Sequence, residues 1–139
     1  MTTVIRQADL TDSIADALQY ISYYHPKDFI HALAEAYEKE QNKAAKDAIA
    51  QILINSRMCA MGHRPICQDT GIVSVFLKVG MNVQWETDTS LEDAVNEGVR
   101  RAYGLPENIL RASVLADPDG ARKNTGDNTP AMITYKIVP

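Results

Sequence analysis

The stretch GIVSVFLKVG, residues 71–80, decides the class of fold. Val73, Val75, Leu77 and Val79 fall on alternate positions, Ser74 and Lys78 make the other side more polar, and glycine closes both ends. That period of two is the mark of a half-buried strand. A second extended piece, MNVQW at residues 81–85, follows it. A strand with one apolar side needs a covering layer, and the neighbouring segments must provide it.

Upstream, the first sixty residues read as helical. Leu10, Ile14, Leu18 and Ile21 recur at helical spacing, with Asp9 or Thr11 as the capping residue. YYHPKD, residues 23–28, breaks that run, because Pro26 disfavours helix in the residue before it. Phe29, Leu33 and Tyr37 then form the inner face of a second helix. Ala44, Ala48, Ile49, Ile52 and Leu53 form the face of a third, which ends near Gly62.

Downstream, SLEDAVNEGVRRAYG, residues 90–104, reads as a fourth helix. Ser90 caps it, Asp93 takes the capping-box position, and Gly104 stops it. Its stripe is Leu91, Ala94, Val95, Val99 and Ala102. Two further strands are expected at about 109–115 and 131–138, joined by DPDGARKNTGDNTP, residues 117–130, a long polar connection rich in turn formers. Helices first and strands afterwards give an α+β class: N-terminal helices packed on one face of a small, mainly antiparallel sheet, with one further helix. No repeat, low-complexity tract or linker divides the chain. AMITYKIVP, residues 131–139, stops on an apparent strand, so the 139 residues read as the front portion of something longer.

Composition excludes several classes. With 45% apolar residues the chain has material for a real core and is not a disordered tail. Fourteen basic and eighteen acidic residues, interspersed, give a net charge of -4 and no basic stripe for a nucleic-acid backbone or an anionic membrane. The N-terminus lacks the apolar core of a signal peptide, and no apolar run reaches the roughly 18 residues of a membrane span. A cytoplasmic protein with reduced thiols is therefore expected.

The chemistry concentrates in RPICQDTG, residues 64–71. Pro65 stiffens the approach, Gly71 permits a tight turn, and Cys67, Gln68 and Asp69 sit between a helix and a strand, where backbone amides tend to be free. Three readings of Cys67 stay open on local sequence. It is a small buried thiol beside a turn that Asp69 closes; or a nucleophile; or one ligand of a metal centre completed elsewhere. A nucleophile needs a base, and only His25, His31 and His63 are available, with nothing to orient them. A zinc site lacks the short cysteine hook and a second ligand pair.

Taken together, RPICQDTGIVSVFLKVG (64–80), VNEGVRRAYG (95–104), NILRAS (108–113) and KNTGDNTPAMITYKIVP (123–139) resemble the N-terminal part of class I fumarate hydratases, the iron-sulfur-dependent fumarases. The resemblance covers nearly the whole chain. Its most specific element, ICQDTG, is shared with the alpha subunit of L-tartrate dehydratases, so it marks the superfamily more securely than the substrate. It implies that residues 1–139 are the N-terminal part of a catalytic domain truncated at its C-terminus, from a homodimeric parent that reversibly hydrates fumarate to (S)-malate in the tricarboxylic acid cycle. It further implies that Cys67 is one of three thiolates holding a 4Fe-4S cluster. Gln68 and Asp69 would touch the dicarboxylate, Asp69 transferring a proton, and Arg111 would grip a substrate carboxylate. Asn124, Thr125, Asn128 and Thr129 lie in a family-like stretch and receive no role beyond forming a turn. Cys59 reads as a core thiol. Two cysteines do not complete a three-thiolate site, so the isolated chain is expected to be cluster-free and inactive. The alternatives are a tartrate dehydratase fragment and a non-catalytic module completed by a partner chain.

Overall fold

Eight elements are laid down along the chain in a computed structural model that describes residues 2–67, 71–107 and 110–139. They are β1 (Thr3–Arg6), α1 (Gln7–Tyr23), α2 (Lys27–Lys39), α3 (Lys43–Gly62), β2 (Ser74–Gly80), β3 (Val83–Glu86), α4 (Leu91–Gly104) and β4 (Met132–Val138). Two compact units result: residues 1–19 with 69–139, and residues 20–68.

In the first unit the α+β class holds, while the sense of the sheet is corrected. The strands form two separate two-stranded ladders, β1 with β3 and β2 with β4, and both are parallel. Parallel partners cannot be joined by a tight hairpin and need a long crossover. Between β2 and β4 that crossover contains β3, α4 and the polar connection. The register pairs Ser74 with Met132 and runs to Gly80 with Val138.

α4 is the centre of the unit. Ser90 caps it, its Oγ accepting from the Asp93 N–H at 3.0 Å and donating to the Asp93 carboxylate at 2.7 Å. Its buried face is Ala94, Val95, Gly98, Val99, Ala102 and Tyr103. The first part of α1 lies along it: the Thr11 hydroxyl donates to the Ala94 carbonyl and the Gln19 amide to the Ala102 carbonyl. Between these links Gly98 admits the close approach, since a Cβ there would stand 2.7 Å from both Ile14 Cβ and the Thr11 carbonyl oxygen.

Two local expectations are revised. Residues 1–6 contain a strand where helix is expected, and α1 begins at Gln7, so Asp9 sits within its first turn, bonded to Arg6 at 2.7 Å. The strand expected at 109–115 does not form over the described residues 110–114; Leu115 makes a single antiparallel bridge with Asn124.

The second unit is the remainder of α1 with α2 and α3. Asn42 caps α3 by accepting from the Ala44 and Ala45 N–H groups. α2 has no buried residue, and Phe29 is exposed. On α3 the inward face is displaced from the expected one: Ser56 and Cys59 are buried, whereas Ile52, Ile54, Met58 and Met61 are exposed.

Candidate functional site

Each unit contributes one segment that the sequence marks as functional. In the second unit α3 ends at Gly62, and His63 takes the left-handed conformation with φ of 46°. The Arg64 N–H then turns back to the Cys59 carbonyl at 3.1 Å. Ile66 is pinned from both sides: its N–H donates to the Ser22 carbonyl at 2.9 Å, and its own carbonyl accepts from the Asn55 side-chain amide at 3.1 Å. The next residue, Cys67, is exposed at the end of this braced approach.

Cys59 has the opposite character. It is buried, and its thiol lies within hydrogen-bond reach of Asn55 Oδ1 at 3.7 Å and the Pro65 carbonyl at 3.5 Å. The histidines are engaged in structure. His63 Nε2 meets the Tyr24 hydroxyl at 3.1 Å and its ring stacks on Tyr23 at 5.7 Å. His25 Nδ1 meets Ser56 Oγ at 3.0 Å and stacks on Phe29. His31 is exposed on α2.

In the first unit, Arg111 is exposed next to buried Leu110, in an extended segment without a ladder partner among the described residues. Side chains from residues 124–128 hold this segment instead. Asn124 Nδ2 donates to the Ala112 carbonyl at 2.9 Å, and Asn128 Oδ1 accepts from the Ser113 and Val114 N–H groups at 2.8 and 3.2 Å. Asn128 Nδ2 donates to the carbonyl of Gly71 at 3.1 Å. One side chain therefore joins the last residue of the QDTG stretch to the segment that follows Arg111.

The loop bearing Asn128 is itself fixed to α4. Asn96 Oδ1 accepts from the Ala131 N–H at 2.8 Å, and Arg100 bridges Glu97 at 2.6 Å and Asp127 at 3.3 Å. Burial pushes the Asp127 carboxyl up, but the Thr129 N–H and hydroxyl together with Arg100 outweigh it and hold the group below the ordinary aspartate range. Hydrogen bonds from Arg101 and Arg100 likewise hold Glu97 low against a small opposing effect of burial.

Gln68 and Asp69 lie outside the described residues. Of the four expected site residues, then, Cys67 and Arg111 are both exposed, and each is presented by a braced segment of its own unit. Asn128 is the residue that sequence reasoning passed over as a turn former. The sequence marks it only as a second asparagine in a turn-rich run; its φ of 62°, which suits Asn better than most residues, is seen in the fold alone.

Two clefts in the first unit do not suit a small dianion. One of about 280 Å³ is walled mostly by apolar groups such as Leu10, Leu77, Val83 and Trp85, and its one cation, Lys78, shares the lining with the Asp9 carboxylate. In the other, of about 460 Å³, Arg6 and Arg101 are already paired with Asp9, Asp12 and Glu97.

The donor set bears directly on an iron-sulfur cluster. Exposed Cys67 suits one thiolate corner, and buried, hydrogen-bonded Cys59 does not suit a second. Among the described residues no three His, Cys, Asp or Glu side chains converge as a metal site. The described residues therefore offer one exposed thiolate and not the three such a cluster takes.

The family model described as Fumarate hydratase (Fumerase) matches residues 11–139. The chain is 31% identical over 123 residues to a protein named putative L(+)-tartrate dehydratase subunit alpha from Methanocaldococcus jannaschii, covering 87% of this chain and 42% of that one. It is 30% identical over 132 residues to the L(+)-tartrate dehydratase subunit alpha of Escherichia coli K12, covering 94% of this chain and 42% of the other. The chain therefore spans less than half the length of the curated relatives it matches.

Proposed function

We propose, from the premise that this chain belongs to the fumarate hydratase family, that it forms the N-terminal part of an iron-sulfur hydro-lyase acting on a small dicarboxylate. Fumarate and (S)-malate are the leading substrate pair. One observation supports this most: the braced turn after α3 leaves Cys67 exposed while the other cysteine is buried. A thiol kept only for packing would be placed as Cys59 is.

In this reading Cys67 gives one thiolate to a 4Fe-4S cluster whose remaining ligands lie beyond the chain. When bound, the cluster supplies a Lewis acid for substrate oxygens. The chain's own residues then have distinct tasks. Arg111 grips a substrate carboxylate through its planar fork, Gln68 donates or accepts at the substrate, and Asp69 transfers the proton. Water addition across a carbon-carbon double bond requires all of these. The isolated chain holds no complete cluster and is silent; a homodimeric parent is part of the same proposal.

A second reading, the alpha part of a tartrate dehydratase, is favoured by the names of the matched relatives. Fumarate hydration measured against L-tartrate dehydration, with the same enzyme, separates the two. A third, a module completed by a partner polypeptide, shares the cluster geometry and differs only in where the other thiolates reside.

The test is anaerobic reconstitution with iron and sulfide. The chain alone should yield no 4Fe-4S spectrum, and the enzyme completed with its remaining cysteines should yield one that Cys67→Ser removes. Arg111→Lys should leave the cluster intact and raise KM for the dicarboxylate by roughly tenfold or more, because an ammonium does not reproduce a bidentate fork. A full cluster in the Cys67→Ser enzyme contradicts the proposal.

A further inference from the structure

We infer that Asn128 is a positioning residue for the dicarboxylate site, tying Gly71, which closes the QDTG stretch, to the segment that follows Arg111. The inference rests on the reading above, in which those two stretches bind substrate.

Asn128 is fully buried, at 0% exposure. A side-chain amide has two acceptor sites and two N–H donors, and both of its ends are engaged here. Oδ1 takes the Ser113 and Val114 N–H groups, Nδ2 gives one proton to the Gly71 carbonyl, and the Tyr103 hydroxyl is hydrogen-bonded to the same side chain. The partners also fix its orientation. With oxygen and nitrogen exchanged, an NH2 would face two N–H donors and an oxygen would face a carbonyl. The backbone is equally committed, with Asn128 at φ of 62° and Gly71 at 56°.

The geometry is not that of a simple turn. Asn128 Oδ1 does for residues 113 and 114 what a neighbouring strand would do, and leaves the segment free of a ladder. Gly71 stands two positions after Asp69, and Ser113 two positions after Arg111. A shift of Asn128 thus displaces the anchors of both proposed substrate groups together. Its own side chain touches neither substrate nor cluster in this assignment.

Asn128→Asp is the discriminating variant, because it preserves the acceptor and the tolerance of positive φ but removes the donor at neutral pH. The readouts are carbonyl-carbon and amide NMR of the labelled chain, and turnover by the completed enzyme. The Ser113 and Val114 amides should stay protected from exchange while the Gly71 carbonyl resonance moves, returning on acidification as the introduced carboxyl regains a proton. Turnover should fall in kcat on the order of tenfold to a hundredfold, with the same recovery at lower pH. Asn128→Ala should unlock both segments.

An unmoved Gly71 resonance in both variants overturns the link itself. A moved resonance with unchanged kcat and KM overturns the positioning role. If Asp69→Asn retains full turnover, the underlying reading of the QDTG stretch fails and takes the positioning role with it, and the NMR result then describes architecture alone.

Discussion

At the scale of single residues Gly98 is constrained by backbone as well as side chain. Its missing Cβ is the space in which α1 passes α4, with Thr11 backbone and the Ile14 side chain in the way of any substituent. Backbone cannot yield as a side-chain tip does. Gly98→Ala should therefore destabilise the chain by about 1–3 kcal/mol, the usual cost of overpacking, despite the better helix propensity of alanine. A thermal unfolding scan checks it, and an unchanged or higher midpoint would show that α1 lies farther from α4 than described. Sequence made part of this scale legible. The Ser90–Asp93 cap follows from spacing alone, because both partners lie within one turn. Gly98 was not legible, and neither was the link from Asn128 to Gly71, since those partners lie over 50 residues away in sequence.

At the scale of elements, α4 and the loop of residues 124–131 form one electrostatic piece through Arg100, which binds Glu97 and Asp127 at once. Both carboxyls are held below their ordinary values in the folded chain. A depressed folded pKa means that the stabilisation is present above the unfolded value, near 4, and is lost as pH falls through the folded value. Unfolding temperature should thus decline between roughly pH 5 and pH 3, and Glu97→Gln with Asp127→Asn together should flatten that decline. Equal slopes in the variant and the parent chain would show that other carboxylates govern acid stability. The strand at 74–80 and all four helices could be read in advance because period two and period 3.6 are local properties. The sense of pairing could not. β1 meets β3 across some 80 residues and β2 meets β4 across nearly 60, and nothing inside a strand records the direction of a distant partner. The expected strand before residue 115 failed for a related reason: Asn128 claims the amides that a ladder would use.

At the scale of the whole molecule, burial is divided unequally between the units. The first holds Val95, Val99, Ala102 and Asn128 at 0% exposure, whereas α2 in the second has no buried residue and α3 buries only Ser56 and Cys59. Helices of 13 and 20 residues gain little from propensity alone, so their persistence depends on packed area. Ile54, Met58 and Met61 follow one another at helical spacing on α3 and are all exposed, so this stripe adds nothing to the stability of the isolated chain. Native-state hydrogen exchange should resolve the consequence. Amides of α2 and α3 should exchange through openings at least about tenfold more frequent than those of α4, whose amides should approach the global unfolding limit. On the proposed reading of Cys67 as a cluster ligand, adding the polypeptide that carries the other thiolates should slow the residues near 54–67 more than those of α4, because binding stabilises what it covers and orders. Uniform protection across both units would mean that the helical unit is stable by packing already present.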